Sequence, residues 1–527
     1  MPPDKRHRFA SSTLLTQCRT IPQLLQLHAQ SITTNRRLSP PQLLHALTTI
    51  LHVSPPTSST CPLLLRYALS LFSSIPAPTV FSFNTLIRAH TLLLGSSALL
   101  PSLRLFRTMR RSSLRPDSHS FPFLLKAAAG DPTHIRSLHA QAVRFGFSGD
   151  LYVVNSLLNG YSRGGGLHDA RKVFDESPVR DAVSWNSMIN GLVKGGELGA
   201  ARELFDEIPE RDSITWATLI SGYAQVDCCE EAVALFCAMM EAGVRPENVA
   251  LVSALSACSR LGEVEKGKEV HDYIERNGIQ VDSFLSTGLV DFYAKCGLID
   301  VAISVFESSR DRSLFTWNAM LVGLAMHGRG RLSLDYFARM MHFGVKPDGV
   351  SFLGVLVGCS HVGLVTDAKR LFDDMEHVYG VTREAKHYGC MADLLARAGM
   401  IDEAMQMIED MPTGGDVFVW SGLLGGCRIH GNVEIAELAA KQVMELKPED
   451  GGVYSILADV YANNGRWDDV VRIRRSLSRN KEVTKRSGFS LIELDGVVHE
   501  FLAWDSFHHA KDDIFSLLNG IRAQLSF

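Results

Sequence analysis

Trp185-Asn186-Ser187-Met188-Ile189, Trp216-Ala217-Thr218-Leu219-Ile220 and Trp317-Asn318-Ala319-Met320-Leu321 are three copies of one phrase, and Phe83-Asn84-Thr85-Leu86-Ile87 is a fourth. Their spacing decides the fold. In chain order the copies begin 102, 31 and 101 residues apart. No single period divides these separations, but units of mixed length do: 31 is one short unit, and 101 is two units of 35 and one of 31. Self-similarity on this scale belongs to solenoids and arrays, and it takes precedence over any residue-level assignment of helix or strand.

Working outward, recurring phrases mark where units end. Longer units close on Pro116-Asp117, Gly243-Val244-Arg245-Pro246-Glu247 and Gly344-Val345-Lys346-Pro347-Asp348. Short ones close on Pro178-Val179-Arg180-Asp181 and Pro209-Glu210-Arg211-Asp212. These boundaries give units at 80–117, 118–150, 151–181, 182–212, 213–247, 248–282, 283–313, 314–348, 349–384 and 385–416, with two weaker ones expected within 11–79.

Each unit reads as two helices. In 213–247, Leu219, Ile220 and Tyr223 share one side of a first helix, and Ala232, Val233, Leu235, Phe236 and Met239 form the stripe of a second. Gly243 and Pro246 then stop it, the one free to take positive φ and the other unable to continue a helix. Neither helix buries its stripe alone. Stacked neighbours do, which predicts a solenoid stabilised by repeat and nearest-neighbour terms.

Composition narrows the class. Hydrophobic residues make up 46% of the 527, and the longest apolar stretches, such as Val252 to Leu261, are broken well short of the roughly 18 residues a membrane span needs. No membrane partner is expected. Ten scattered cysteines without a Cys-x-x-Cys do not make a disulfide scaffold, and Cys258, Cys359, Cys390 and Cys427 fall at helix-like apolar positions, which fits a reducing compartment. Up to Pro116 there are thirteen Lys or Arg against the single Asp4, a net +12, which leaves −16 for the rest of a chain totalling −4. An acid-poor, Ser- and Arg-bearing start suits an organellar targeting segment, placed at 1–10, or else repeats that begin early and lack acids.

These phrases resemble the PLS branch of plant pentatricopeptide repeat proteins, in which canonical, longer and shorter units alternate. Leu289-Val290-Asp291-Phe292-Tyr293-Ala294-Lys295-Cys296-Gly297 and Gly358-Cys359-Ser360-His361-Val362-Gly363-Leu364-Val365 look like its short and long units. The resemblance covers roughly 11–500. It implies an all-α fold, a right-handed α-solenoid of helix-turn-helix repeats that reads single-stranded RNA one base per unit. A tetratricopeptide array, the competing reading, keeps a unit of about 34 residues; the mixed lengths and the recurring Asn five residues into a unit disfavour it.

By the same resemblance, the base-reading residues are the fifth and the last of each unit. Four units carry Asn with Asp: Asn84 with Asp117, Asn155 with Asp181, Asn186 with Asp212, and Asn318 with Asp348. The family associates that pair with pyrimidines, uridine preferred. Thr287 with Ser313 leans to a purine, and Ala217 with Glu247 departs from the usual pairs. Pro122, Val252 and Leu353 occupy the fifth position of longer units and are expected to read little. The bland alternative is that Asn and Asp here are ordinary helix caps. Trp and Phe at position four are expected to pack rather than to stack on bases.

Past the last short unit, Val419-Trp420-Ser421-Gly422-Leu423-Leu424 and Tyr454-Ser455-Ile456-Leu457-Ala458-Asp459-Val460-Tyr461 resemble the two E motifs of the editing branch, placed at 417–485. Lys485-Arg486-Ser487-Gly488-Phe489-Ser490-Leu491 looks like the entry to a DYW cytidine deaminase, with Ser487 where Pro is usual and Leu491 where Trp is usual; 486–527 is read as its truncated start. A zinc deaminase needs His-x-Glu and Pro-Cys-x-x-Cys. None of the nineteen histidines has Glu two residues on, and no Cys pair has the spacing. The expectation is therefore no catalytic residue, no metal site and no cofactor. The implied role is site recognition in C-to-U editing of organellar RNA, with a DYW-type deaminase and accessory factors acting in trans. The alternative is a splicing, stability or translation factor. The mitochondrion is the expected compartment, the chloroplast its alternative.

Overall fold

The computed structural model describes residues 18–34, 38–53, 60–411, 414–479, 489–494, 497–502, 508 and 511–525. The expected targeting segment at 1–10 lies outside them, as do residues 485–488. The chain divides into two compact units, Met1–Gln280 and Val281–Phe527.

In the first unit three helices, Ile21–Thr33, Pro40–Val53 and Cys61–Ser73, precede a run of helix pairs. The pairs are Val80–Leu94 with Leu99–Arg111, Ser120–Ala127 with Pro132–Phe145, Leu151–Arg163 with Leu167–Glu176, Ala182–Lys194 with Leu198–Asp206, Ser213–Gln225 with Cys229–Glu241, and Asn248–Leu261 with Val264–Arg276. The second unit continues the scheme from Ser283–Lys295 to Trp467–Arg479. In each unit every first helix packs on its own second helix and on the first helix of the next pair.

The stripes assigned from sequence are the core. Leu219, Ile220 and Tyr223 are buried, as are Ala232, Val233, Leu235, Phe236 and Met239, and Gly243 takes φ +71° where the second helix stops. Some first helices approach closely through a glycine at their tenth position. A Cβ on Gly222 would stand 2.6 Å from Val193 Cγ1, and one on Gly426 would stand 2.2 Å from Ala396 Cβ. Only glycine allows that separation, because interiors are already packed to crystal density.

The residues at position four are packing residues. Trp216, Trp317 and Phe83 are buried, and each meets a Phe of the preceding second helix edge-on: Phe205–Trp216 at 4.8 Å, Phe306–Trp317 at 4.7 Å and Phe72–Phe83 at 5.0 Å between ring centroids. Trp185 is half-buried and meets Phe174 the same way at 5.0 Å. The Arg of the closing phrase completes the joint. Arg211 Nε and Nη2 donate to Phe205 O at 3.0 Å and Asp206 O at 2.9 Å, with the guanidinium 4.9 Å from the Phe205 ring centre. Arg180, Arg312 and Arg383 repeat this on Phe174, Phe306 and Phe372. The last carbonyls of a helix lack intrahelical partners, and a cation there also opposes the negative end of the helix dipole.

One element departs from an all-α fold. β1 (Phe489–Leu494) and β2 (Val497–Leu502) pair antiparallel, Phe489 opposite Leu502 and Leu494 opposite Val497. The sequence carries part of the reason: Asp495-Gly496, a short-range hairpin turn signal, stands between two segments rich in apolar residues.

Candidate nucleic-acid interface

First helices start on the acid that closes the preceding unit. Asp181 Oδ1 accepts from Ser184 N–H at 2.8 Å, Asp212 Oδ1 from Thr215 N–H at 2.7 Å, and Asp348 Oδ1 from Ser351 N–H at 3.0 Å. These acids are helix caps, so the bland reading of them is correct as far as it goes. It is not the whole of their geometry.

In three of the four Asn–Asp units the closing acid also holds the fifth residue. Asn84 Nδ2 donates to Asp117 Oδ1 at 2.8 Å, Asn155 Nδ2 to Asp181 Oδ1 at 3.2 Å, and Asn318 Nδ2 to Asp348 Oδ1 at 3.0 Å. A serine hydroxyl closes each ring from the other side. Ser120, Ser184 and Ser351 Oγ lie 2.8, 2.7 and 2.6 Å from the Oδ1 of Asn84, Asn155 and Asn318 and 3.0, 2.8 and 3.0 Å from the Oδ1 of Asp117, Asp181 and Asp348, so one hydroxyl proton is shared between two acceptors. Burial works to raise the Asp181 and Asp348 carboxyls, but the bonds from the serine N–H and hydroxyl and from the Asn amide outweigh it and leave both below their ordinary value. Ionised carboxylates only accept, so they fix the amide NH2 on their side, and one N–H and one lone pair of each Asn remain unused.

The fourth Asn–Asp unit is open. Among the described residues neither amide atom of Asn186 is bonded, and its Oδ1 is buried without a partner. The Thr215 hydroxyl reaches Asp212 Oδ1 at 2.7 Å, as the serines reach their acids, but not the Asn186 amide. The remaining expected readers differ again. Thr287 Oγ1 lies 2.8 Å from Thr316 Oγ1, which is 3.1 Å from Ser313 Oγ. Ala217 is buried and Glu247 exposed, with no side-chain cap at Glu247 and no polar group on Ala217 to join it.

Two sets of residues beside the readers were not singled out by the sequence reading. In nine of the first helices the second residue, three before the fifth and therefore on the same face, is apolar and exposed. Phe81, Tyr152, Val183, Ile214 and Val249 in one unit, and Phe284, Phe315, Val350 and Phe418 in the other, are 45% to 76% exposed. A hydrophobe on the polar side of a helix, repeated unit after unit, is the pattern that signals it. The second set is basic. Lys126, Arg163 and Lys194 are exposed, have no ion-pair or hydrogen-bond partner among the described residues, and line grooves of about 710 and 790 Å³ along the first helices. Other basic side chains are matched, as in Arg136–Asp169 at 2.9 Å and Arg339–Glu307 at 2.7 Å. An acidic total is thus compatible with an unneutralised basic strip beside the readers.

Of the cysteines at helix-like positions, Cys258, Cys359 and Cys427 are buried and Cys390 is half-buried, and burial pushes the Cys359 and Cys427 thiols up to about 11. His139 bonds Tyr161 Oη at 3.0 Å between packed helices. Among the described residues no group of three His, Cys, Asp or Glu is placed to hold a metal ion, and no helix is long and apolar enough to cross a membrane.

The chain matches the PPR repeat family at 152–180, 183–213, 214–244, 249–279, 315–345, 350–377 and 386–415, and the E motif family at 430–493. It is 52% identical to the Arabidopsis thaliana pentatricopeptide repeat-containing protein At5g61800 over 496 residues, 91% of this chain and 98% of that one. It is 33% identical to At1g08070 of the same plant, named chloroplastic, over 99% of this chain and 84% of that one. The crystal structure of the maize pentatricopeptide repeat protein PPR10 is similar in fold, with a TM-score of 0.52 at 16% identity over 91% of this chain and 84% of that one.

Proposed function

The chain belongs to the plant pentatricopeptide repeat proteins of the E class, and from that premise we propose that it is a sequence-specific single-stranded RNA-binding protein that marks sites for C-to-U editing in organellar transcripts. The observation that carries the RNA reading is the repeated surface of the first helices. Each of the four Asn has an apolar side chain exposed three residues earlier, and Asn155 and Asn186 line grooves that Lys126, Arg163 and Lys194, unpaired among the described residues, also line.

The chemistry of a single strand fits those parts. Splayed bases present a hydrogen-bonding edge to an amide and a flat face to an apolar side chain, and the phosphates meet the lysines and arginine. Asn84, Asn155, Asn186 and Asn318, with Asp117, Asp181, Asp212 and Asp348, are assigned to pyrimidines. Thr287 with Ser313 is assigned to a purine, and Ala217 with Glu247 has no assigned base. The editing role rests on the E motif, which we assign to 417–485 as the surface that recruits a deaminase-bearing partner. The chemistry is then done by that partner, and this chain supplies the address. We place the protein in the mitochondrion, with the chloroplast as the alternative.

The test is transcriptome sequencing of both organelles in plants with and without the gene, scoring every C-to-U site alongside transcript abundance and intron removal. Loss of one or a few edits on otherwise intact transcripts is expected. Unchanged edits with an unspliced or missing transcript would refute the editing role and leave RNA binding standing.

A further inference from the structure

The four Asn–Asp units share their two expected readers yet differ in geometry, and the difference tracks a third residue. That residue is the third of the following unit: Ser120, Ser184 and Ser351 in the closed units, Thr215 in the open one. It also meets both readers of the Thr287 unit, where it is Thr316. It lies about thirty residues from the Asn it touches, 36, 29 and 33 along the chain for the three serines.

We propose that this hydroxyl is a third specificity-determining position: where it donates to the Asn Oδ1 it locks the amide in one orientation, and where it does not the amide can flip. The inference rests on the RNA-reading role proposed above. Its physical basis is that uracil and cytosine carry opposite patterns on the edge they present. Uracil offers the O4 acceptor beside the N3–H donor; cytosine offers the N4 amino donor beside the N3 acceptor. A locked amide has its Nδ2 committed to the Asp carboxylate and its Oδ1 committed to the serine, so its remaining N–H and lone pair point in fixed directions. It matches one pyrimidine and leaves an unmade bond with the other. Asn186 has neither commitment and turns to suit either.

Asn84, Asn155 and Asn318 therefore separate uridine from cytidine, whereas Asn186 accepts both. One buried hydrogen bond made or left unmade corresponds to about fivefold to tenfold in affinity. Thr215→Ser supplies the missing closure and raises the uridine-to-cytidine ratio at the nucleotide facing Asn186 by about that factor. Ser351→Ala removes a closure and lowers the ratio at the nucleotide facing Asn318.

The full-length protein is incubated with a randomised single-stranded RNA pool, and base preferences are read position by position from bound and input sequences. Asn186→Ala and Asn318→Ala locate the two facing nucleotides, and thermal melting checks that each variant folds. Thr215→Ser, which keeps the hydroxyl and the cap, is informative even where Ser351→Ala loses stability. The expected result is a pyrimidine-tolerant position facing Asn186 that Thr215→Ser sharpens toward one pyrimidine. If the Asn→Ala variants erase preference while Thr215→Ser and Ser351→Ala leave the ratios unmoved, the third position is not a determinant and the inference alone falls. If the Asn→Ala variants leave every preference intact, the base-reading role falls and takes the inference with it.

Discussion

Arg312→Ala should loosen one joint of the second unit and little else. Arg312 is 15% exposed and donates from Nε to Phe306 O at 2.9 Å and from Nη2 to Glu307 O at 2.7 Å. Its guanidinium also lies 4.8 Å from the Phe306 ring centre, and that ring meets Trp317 edge-on at 4.7 Å. The substitution removes two charge-assisted bonds to carbonyls at a helix end, an ion pair with Glu307 at 3.4 Å, cation–π contacts with Phe306 and Phe343, and a favourable charge at the dipole's negative pole. Water reaches the freed carbonyls in part, so the full penalty of orphaned groups does not apply. The loss is about 2–3 kcal/mol. In a solenoid such a loss stays local, and it corresponds to about 30- to 160-fold faster opening of that joint. Hydrogen–deuterium exchange reads it directly, as faster exchange in the helices Ile299–Ser308 and Leu314–Met326 against unchanged Ala385–Arg397. Arg312→Lys keeps the charge without the planar fork and should lose about half as much. Exchange in both helices within about threefold of the parent would refute the reasoning, because it would mean the closing Arg is a surface residue that happens to lie over the helix end.

Two further outcomes rest on the same geometry. The Arg339 guanidinium, bonded to Glu307 at 2.7 Å, outweighs burial and with Tyr336 holds the Glu307 carboxyl down at about 2, against an ordinary 4.5. Its folded value lies below its unfolded one, so the stabilisation is fully present above about 4.5 and drains away as pH falls towards 2; exchange at Gly330–His342 should accelerate across that window, and Glu307→Gln should flatten the response. Replacing Lys126, Arg163 and Lys194 together by Gln should weaken RNA binding about equally for all sequences. It should also make the slope of log affinity against log salt shallower by about 2, since each neutralised phosphate of a single strand contributes about 0.7. An unchanged slope in a salt titration would remove these three side chains from the phosphate path.

Much of the fold is legible in the chain because the repeat writes the same sentence many times. The stripe of Leu219, Ile220 and Tyr223 comes from the period of a helix, and the stop at Gly243 and Pro246 from what those two residues can and cannot do. The β1–β2 hairpin is less legible: Asp495-Gly496 is a turn signal, but the apolar residues around it lack the period of two that marks a strand. Arg180 and Arg211 read as punctuation, because a boundary phrase says where a helix stops and not which side chain turns back over its end.

The sequence by itself determined the unit, its two helices, and which residues stand fifth and last in each. These are local properties, set by spacing along one chain segment. The tertiary structure alone decided that Asn84, Asn155 and Asn318 are closed on their acids while Asn186 is open. It decided also that Lys126, Arg163 and Lys194 are unpaired among the described residues when Arg136 and Arg339 are matched. Each of those outcomes depends on a partner about thirty residues away and on where one hydroxyl or carboxylate points when the helices stack. Periodicity carries no record of that direction, because a hydrogen bond is settled by tenths of an ångström and a repeat only by the count of residues.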